Sequence, residues 1–195
     1  MADQLATPQD LASLLQLDYA SLSSDQQATM TMLVELATAK VQRAAGGQRI
    51  VEATDTEVVD VTERACDLYL PLSQFPVRSV AAVVLDGSAI TDFYLRRQML
   101  WRANGWLLSC DPPSQALVTY THGYADGSQW LQHGRDMTLS LARLGWGNPG
   151  GASSEAIDDY RVTYAEADAR MQVTDYMAAS IADAYGVSAY STGTR

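Results

Sequence analysis

The stretch from Phe75 to Tyr124 constrains the fold more than any other part of the chain, because turn residues separate its apolar runs. Phe75–Gly87 is rich in valine and ends in Asp-Gly, while Ala116–Thr121 combines β-branched and aromatic side chains and stops at His122-Gly123. Runs of this composition, bounded by such turns, are typical of β-strands. We therefore predict a small antiparallel sheet over this stretch.

A tight hairpin is predicted inside the sheet. Asn104-Gly105 separates the apolar-aromatic runs Met99–Arg102 and Trp106–Leu108, and Asn and Gly tolerate the positive φ that tight hairpin turns need. Helix-like sequence lies on both sides of the sheet, whereas a parallel nucleotide-binding fold would alternate strand and helix throughout. The predicted fold class is α+β, with helices flanking a small antiparallel β-sheet in a single domain.

Capping residues mark the helices. Thr7-Pro8 starts the first helix, and Ser23 with Gln26 has the spacing of a capping box. Apolar residues at three-to-four spacing follow, until Gly46-Gly47 ends the second helix. Two further helices are predicted, one ending at 147–151 and one over Asp168–Tyr185. The predicted apolar face of the last helix is Val173, Tyr176, Met177, Ile181 and Ala184. Short strands are predicted at Ile50-Val51, Val58–Val61, Asp67–Pro71 and Tyr160–Tyr164.

Length and charge limit the possible functions. A chain of 195 residues can form one domain with a core, predicted over 1–186, followed by a flexible tail over 187–195. The net charge of -10 disfavours a nucleic-acid binder that grips phosphates, because such a protein needs clustered Lys and Arg. Neither a membrane-length apolar run nor a basic leader followed by an apolar core is present, so we expect a soluble, intracellularly made protein.

The sequence contains no recognisable catalytic signature. It lacks a phosphate loop and the GxSxG, HExxH and CxxC patterns. Cys66 and Cys110 are too few for a disulfide framework and are interpreted as small core residues. Asp158-Asp159 is interpreted as a solvated turn, and His122 as a hydrogen-bonded structural histidine. We therefore predict no catalytic residue, no cofactor and no metal.

Several segments, taken in order, resemble the head-to-tail connector (adaptor) proteins of tailed phages, especially phages that infect actinobacteria. The resemblance is clearest at Leu70-Pro71, Phe75–Gly87 and Val118–Tyr124 and covers nearly the whole chain. The other segments are Leu5–Ala12, the capped helix ending at Gly46-Gly47, Asn148-Pro149-Gly150, Ser154-Glu155 and Asp159–Ala165. The chain departs from the family in its longer Trp130–Trp146 region and in its extended tail after Tyr185.

The resemblance implies a structural virion protein of the neck, assembled in the host cytoplasm. Copies would form a ring below the portal, usually a dodecamer in this family, that joins the head to the stopper or tail and lets the genome DNA pass without specific binding. No membrane is implied. Portal docking is predicted for the end of the chain, through Tyr185, Val187, Tyr190 and Arg195. The alternatives are another neck or tail protein, such as a stopper or tail terminator, and a small hydrolase that uses His122 with Cys110 or an Asp.

Overall fold

The computed structural model describes residues 4–61, 68–108, 113–147, 154–157, 160–163 and 171–185. The chain forms two compact units. The first combines Met1–Ile50 with Gly127–Arg195 and is mainly helical, and the second is Val51–Asp126 and carries two antiparallel sheets. The predicted α+β class is confirmed. The predicted tail over 187–195 lies outside the described residues.

The unit Val51–Asp126 is built on antiparallel strands. They are β1 (Ala53–Asp60), β2 (Tyr69–Pro71), β3 (Val77–Leu85), β4 (Ser88–Ala89), β5 (Tyr94–Arg96), β6 (Met99–Trp101) and β7 (Gln115–His122). The first sheet has the order β1-β7-β3-β4, and the second has the order β2-β6-β5. The antiparallel sheet predicted over Phe75–Tyr124 is therefore confirmed, and β1 extends it.

One face of the first sheet is buried. Alternate residues of β7, from Ala116 to His122, are inside, as the two-residue period of a strand requires. The buried cluster of this unit also takes in Leu70 and Leu100 from the second sheet and Trp106 from the segment that follows β6. The two sheets of the unit thus share one core.

The hairpin predicted at Asn104-Gly105 is wrong. β6 pairs with β2 and β5, and Trp106–Leu108 does not form a strand. The turn into β6 is instead Arg97-Gln98, where both φ angles are positive (51° and 65°), as in type I′ turns. Trp106 leaves the sheet because its ring is buried in the core and its indole N–H donates to the carbonyl of Leu68 at 3.2 Å.

The short strand predicted at Ile50-Val51 is also wrong. Val51 forms an isolated parallel bridge with Tyr124, and β1 begins two residues later. The neighbouring Gly123 has a φ of +85°, and a Cβ there would lie 2.5 Å from the carbonyl oxygen of Val51. The backbone just after β7 therefore lies directly against the backbone of Val51, with no room for a side chain at Gly123.

Helices dominate the other unit. They are α1 (Pro8–Leu14), a 3₁₀ turn (Tyr19–Ser21), α2 (Ser24–Ala44), α3 (Gln129–Gly147) and α4 (Asp175–Tyr185). Both predicted starts are confirmed as reciprocal capping boxes, formed by Thr7 with Asp10 and by Ser23 with Gln26. Among the described helices, none is long and apolar enough to cross a membrane.

The last helix is shorter than predicted. Met171 has a φ of +49°, which is incompatible with a helix, and the predicted residues 168–170 lie outside the described residues. α4 begins after Thr174, whose hydroxyl accepts the N–H of Met177 at 3.3 Å. Tyr176 is 80% exposed, so its predicted place on the buried face is wrong. The reason is angular, since Tyr176 lies about 140° around the helix from the buried Ile181.

Gly134 in α3 allows the end of α4 to pack closely against α3. A glycine inside a helix is unfavourable by about 1 kcal/mol relative to alanine, yet Gly134 is buried within α3. A Cβ at this position would lie 3.0 Å from the hydroxyl oxygen of Tyr185 and 3.4 Å from Leu5 Cδ2. The missing side chain leaves room for Tyr185 at the end of α4.

A short hairpin completes the described part of this unit. β8 (Ser154–Ile157) pairs antiparallel with β9 (Tyr160–Thr163). The strand predicted over Tyr160–Tyr164 is confirmed as far as Thr163.

Asp10→Asn is expected to lower the free energy of unfolding at pH 7 by about 0.5–1 kcal/mol, as for exposed caps and ion pairs. Asp10 accepts the N–H of Thr7 at 2.8 Å and pairs with the guanidinium of Arg135. Burial raises the pKa of Asp10, but hydrogen bonds from Thr7 and Arg135 outweigh it and hold that pKa below its ordinary value. A depressed carboxyl pKa stabilises the fold above the unfolded pKa, and this contribution disappears as the pH falls through the folded pKa.

The difference in the free energy of unfolding between the parent chain and Asp10→Asn should therefore be largest at neutral pH and shrink below about pH 4. Urea unfolding at a series of pH values measures it. Asp136→Asn, on the exposed side of α3, serves as the matched control and should leave the pH profile unchanged. A difference for Asp10→Asn that stays constant down to about pH 3 would contradict the assignment.

Candidate functional site

The second sheet of the unit Val51–Asp126 separates an apolar face from an aromatic one. Its register places Leu70 opposite Leu100, and both are buried. The next position along each strand lies on the other face, where Trp101 is flanked by Tyr69 on β2 and Tyr94 on β5. Because successive side chains of a strand point to opposite faces, burial of the leucines presents the three aromatic rings on the outer side.

The aromatic–arginine surface consists of Tyr69, Tyr94, Arg96 and Trp101. Tyr94 is 62% exposed, and its ring centroid lies 6.0 Å from that of Trp101 with the planes tilted by 41°. The guanidinium carbon of Arg96 lies 4.9 Å from the centre of the Trp101 ring, within the range of a cation–π interaction. Arg97 is also exposed and stands in the turn beside this surface. The surface is therefore apolar and positively charged within a chain whose net charge is -10.

A buried arginine fixes the loop that leads into β5. The Nε of Arg102 donates to Asp92 Oδ1 at 2.9 Å, and its Nη1 donates to the carbonyl of Gly105 at 2.9 Å. Asn104 also donates to Asp92, at 3.2 Å. The hydrogen bond from Arg102 is the main reason that the pKa of Asp92 lies below its ordinary value. These bonds connect the segment before Tyr94 to the turn after β6, and they fix the backbone that carries the exposed aromatic rings.

A polar network lies on the inner side of β1 and β7. Glu57 accepts the hydroxyl of Tyr120 at 3.0 Å and also accepts the N–H and the hydroxyl of Ser73. The Tyr120 oxygen in turn accepts the N–H of Gln74 at 3.2 Å. Burial raises the pKa of Tyr120 above its ordinary value, so this phenol keeps its proton at neutral pH and donates a hydrogen bond to Glu57. The network links β1 to the segment between β2 and β3.

His122 is fully buried and hydrogen-bonded, as predicted. Its Nε2 lies 2.9 Å from Asp55 Oδ2, and its ring centroid lies 5.4 Å from that of Tyr120. Its Nδ1 has no hydrogen-bond partner among the described residues. Asp55 and His122 therefore form an Asp–His pair. The nearby Ser73 does not extend this pair as a nucleophile would, because its hydroxyl donates to Glu57. Cys66, Cys110 and Asp158-Asp159 lie outside the described residues, so the interpretations given to them stay predictions.

No metal-binding group is evident in the described ranges. Within them, no cluster of three or more His, Cys, Asp or Glu side chains has the arrangement to hold a metal ion. The second histidine, His133, lies 3.3 Å from the hydroxyl of Ser180 and beside the ring of Tyr185.

Of the four residues predicted to dock on a portal, Tyr185 is described and the others are not. Tyr185 is buried at the end of α4, and its hydroxyl donates to the carbonyl of Trp130. Its ring therefore anchors α4 within the helical unit. Val187, Tyr190 and Arg195 lie outside the described residues, and docking through them stays a prediction.

Sequence reasoning missed the aromatic–arginine surface. The three rings come from separate strands, and only the pairing register brings them side by side. The hairpin that aligns them has no clear signal in the sequence, because Arg97-Gln98 contains no glycine, asparagine or aspartate and the flanking runs Tyr94–Arg96 and Met99–Trp101 do not alternate apolar and polar residues.

The comparison with known protein families gives no matching family for this sequence. The comparison with curated proteins likewise gives no match.

Proposed function

We propose that this chain is a head-to-tail adaptor of a tailed phage. Its copies form a ring, a dodecamer by analogy with the family it resembles, below the portal protein and above the stopper or tail-side neck protein. The genome DNA passes through the lumen without specific binding. The protein acts through assembly geometry in the virion neck, so the proposal includes no catalytic step, no cofactor and no membrane.

The observation that carries the proposal is the position of the two longest of the segments with the clearest resemblance. Phe75–Gly87 and Val118–Tyr124 are far apart in sequence, yet they supply β3 and β7, which pair along most of their length. These two segments therefore form adjacent strands of one sheet, and Leu70-Pro71 lies in β2 of the second sheet. Leu5–Ala12 includes the capped start of α1 in the other unit.

Two physical features support a protein that works through contacts. Aromatic residues and arginine are enriched at protein interfaces, and lysine and acidic residues are depleted there. The aromatic–arginine surface has this composition, although the chain as a whole is strongly acidic. An acidic molecule can also line a DNA conduit without holding the phosphates, because like charges repel.

The test uses DNA-filled, portal-bearing heads that lack this protein. The full chain should cosediment with such heads, whereas the double variant Tyr94→Ser/Arg96→Glu should bind at least tenfold more weakly with an unchanged melting temperature. Tyr176→Ser, which removes an exposed tyrosine from α4, is the matched control and should bind like the parent chain.

The outcomes separate the function from the surface. If the full chain never associates with heads and is found only with tails, the adaptor proposal is wrong and a stopper or tail terminator is favoured. If the parent chain and the double variant bind heads equally, the adaptor function stands and the aromatic–arginine surface is not its contact.

A further inference from the structure

α2 has a second apolar stripe on the side opposite its core face. The core face consists of Met30, Leu33, Val34, Ala37, Thr38 and Val41, all buried. The outer stripe consists of Ala28, Met32, Leu36 and Ala39, all exposed. At 3.6 residues per turn, the centre of the outer stripe lies roughly 170° from the centre of the core face. Met32 is 59% exposed and Leu36 is 45% exposed, so the stripe leaves large apolar side chains uncovered.

Opposite charges stand at the two ends of this stripe. Asp25 lies in the first turn of α2 and Arg43 in its last turn, and both are exposed. By their positions at about 100° per residue, both lie on the same side of the helix as the outer stripe. The stripe is therefore an apolar strip with a negative end and a positive end.

This arrangement is complementary to itself when the second copy runs antiparallel. A two-fold axis at the level of Val34 places Met32 against Leu36 of the second copy, and Leu36 against its Met32. The same axis places Asp25 against Arg43 at both ends of the contact. Ala28 and Ala39 come level to within one residue, and their small side chains permit close approach of the helices. A parallel pairing would instead place Asp25 against Asp25 and Arg43 against Arg43.

We propose that the outer stripe of α2 binds a second copy of this chain, forming a two-fold antiparallel helix pair. The net charge of -10 opposes self-association in general, so a surface on which opposite charges meet favours contact between two copies. The outer stripe meets this condition twice, once at each end. A two-fold contact uses the same surface on both chains, unlike the head-to-tail contacts that close a ring. The dimer therefore does not depend on the adaptor function.

The dimer should dissociate on dilution. Specific stable interfaces bury roughly 1,200–2,000 Å² in total, and a single pair of helices in contact along part of their length buries less. We expect a dissociation constant in the micromolar range, seen by sedimentation velocity of the full chain across a dilution series.

The charge pairs provide the sharpest test. Met32→Glu should weaken the dimer at least tenfold, and Asp25→Arg and Arg43→Asp should each weaken it several-fold. The double variant Asp25→Arg/Arg43→Asp should restore dimerisation towards that of the parent chain. Both reversals place unfavourable charges at the ends of the helix dipole, so the double variant should have the lowest melting temperature of the three charge variants. Recovery of the dimer in that variant cannot then be an effect of helix stability.

Tyr176→Glu, on the exposed side of α4, is the control and should leave the dimer unchanged. A full chain that stays monomeric up to about 1 mM would overturn the proposal. A dimer insensitive to Met32→Glu, or a double reversal no tighter than the single ones, would also overturn it and would leave the stripe to a different protein.

Discussion

Gly123→Ala should lower the free energy of unfolding of the unit Val51–Asp126 by on the order of 3–4 kcal/mol. Two causes combine. The φ of +85° is in the left-handed region, where a Cβ costs about 1–2 kcal/mol. The added Cβ would also lie 2.5 Å from the carbonyl oxygen of Val51 and 3.0 Å from the backbone nitrogen of Glu52.

The second cause cannot be relieved by rotating a side chain, because the crowded atoms belong to the backbone. Two backbone hydrogen bonds also hold these segments in place. The N–H of Gly123 donates to the Pro76 carbonyl at 3.0 Å, and the N–H of Glu52 donates to the Tyr124 carbonyl at 3.1 Å. Making room for the methyl group would therefore disturb the bridge between Val51 and Tyr124.

Gly87→Ala is the matched control, because Gly87 lies in the same unit and has a φ of +80° but no atom within 4 Å of an added Cβ. It should show the cost of the backbone conformation alone, about 1–2 kcal/mol. Urea unfolding followed by circular dichroism measures both variants. Equal losses in the two variants would show that the close approach to Val51 contributes nothing.

Trp106→Ala should destabilise the same unit by about 3–5 kcal/mol, the usual cost of removing a large buried aromatic side chain. Trp106 is 1% exposed and belongs to the cluster that joins the two sheets. Its removal leaves a cavity in this cluster and takes away the donor to the Leu68 carbonyl. The guanidinium of Arg102, 5.9 Å from the centre of the ring, also loses its aromatic neighbour.

Trp130→Ala removes the same atoms from a side chain that is 43% exposed, and it should cost much less. Thermal unfolding followed by far-ultraviolet circular dichroism avoids dependence on tryptophan fluorescence, which both variants alter. A loss for Trp106→Ala no greater than that for Trp130→Ala would contradict the assignment of Trp106 to the core.

Local signals predicted the features that depend on few residues. The capping boxes at Thr7 and Ser23 form within one helical turn, so composition and spacing were sufficient. The Asp86-Gly87 turn was predictable because both residues accept the positive φ they adopt.

The errors arose where distant contacts decide the conformation. Asn104-Gly105 is a strong hairpin signal, but burial of Trp106 directs the chain into the core instead. Arg97-Gln98 carries no turn signal, yet the pairing of β5 with β6 imposes a positive φ on both residues. The aromatic–arginine surface depends on that pairing, so it could not be assembled before the register was known.

The order β1-β7-β3 has a consequence for synthesis on the ribosome. β7, the last of these strands to be made, pairs with both β1 and β3. Until the chain has grown past His122, β1 has no partner in this sheet and β3 has only the short β4. Pairing at such sequence separations is slow, and strands that await a partner expose their edges to other chains. Until β7 is made, the edges of β1 and β3 that will pair with it are exposed. Chaperone binding during that interval would protect them from other chains.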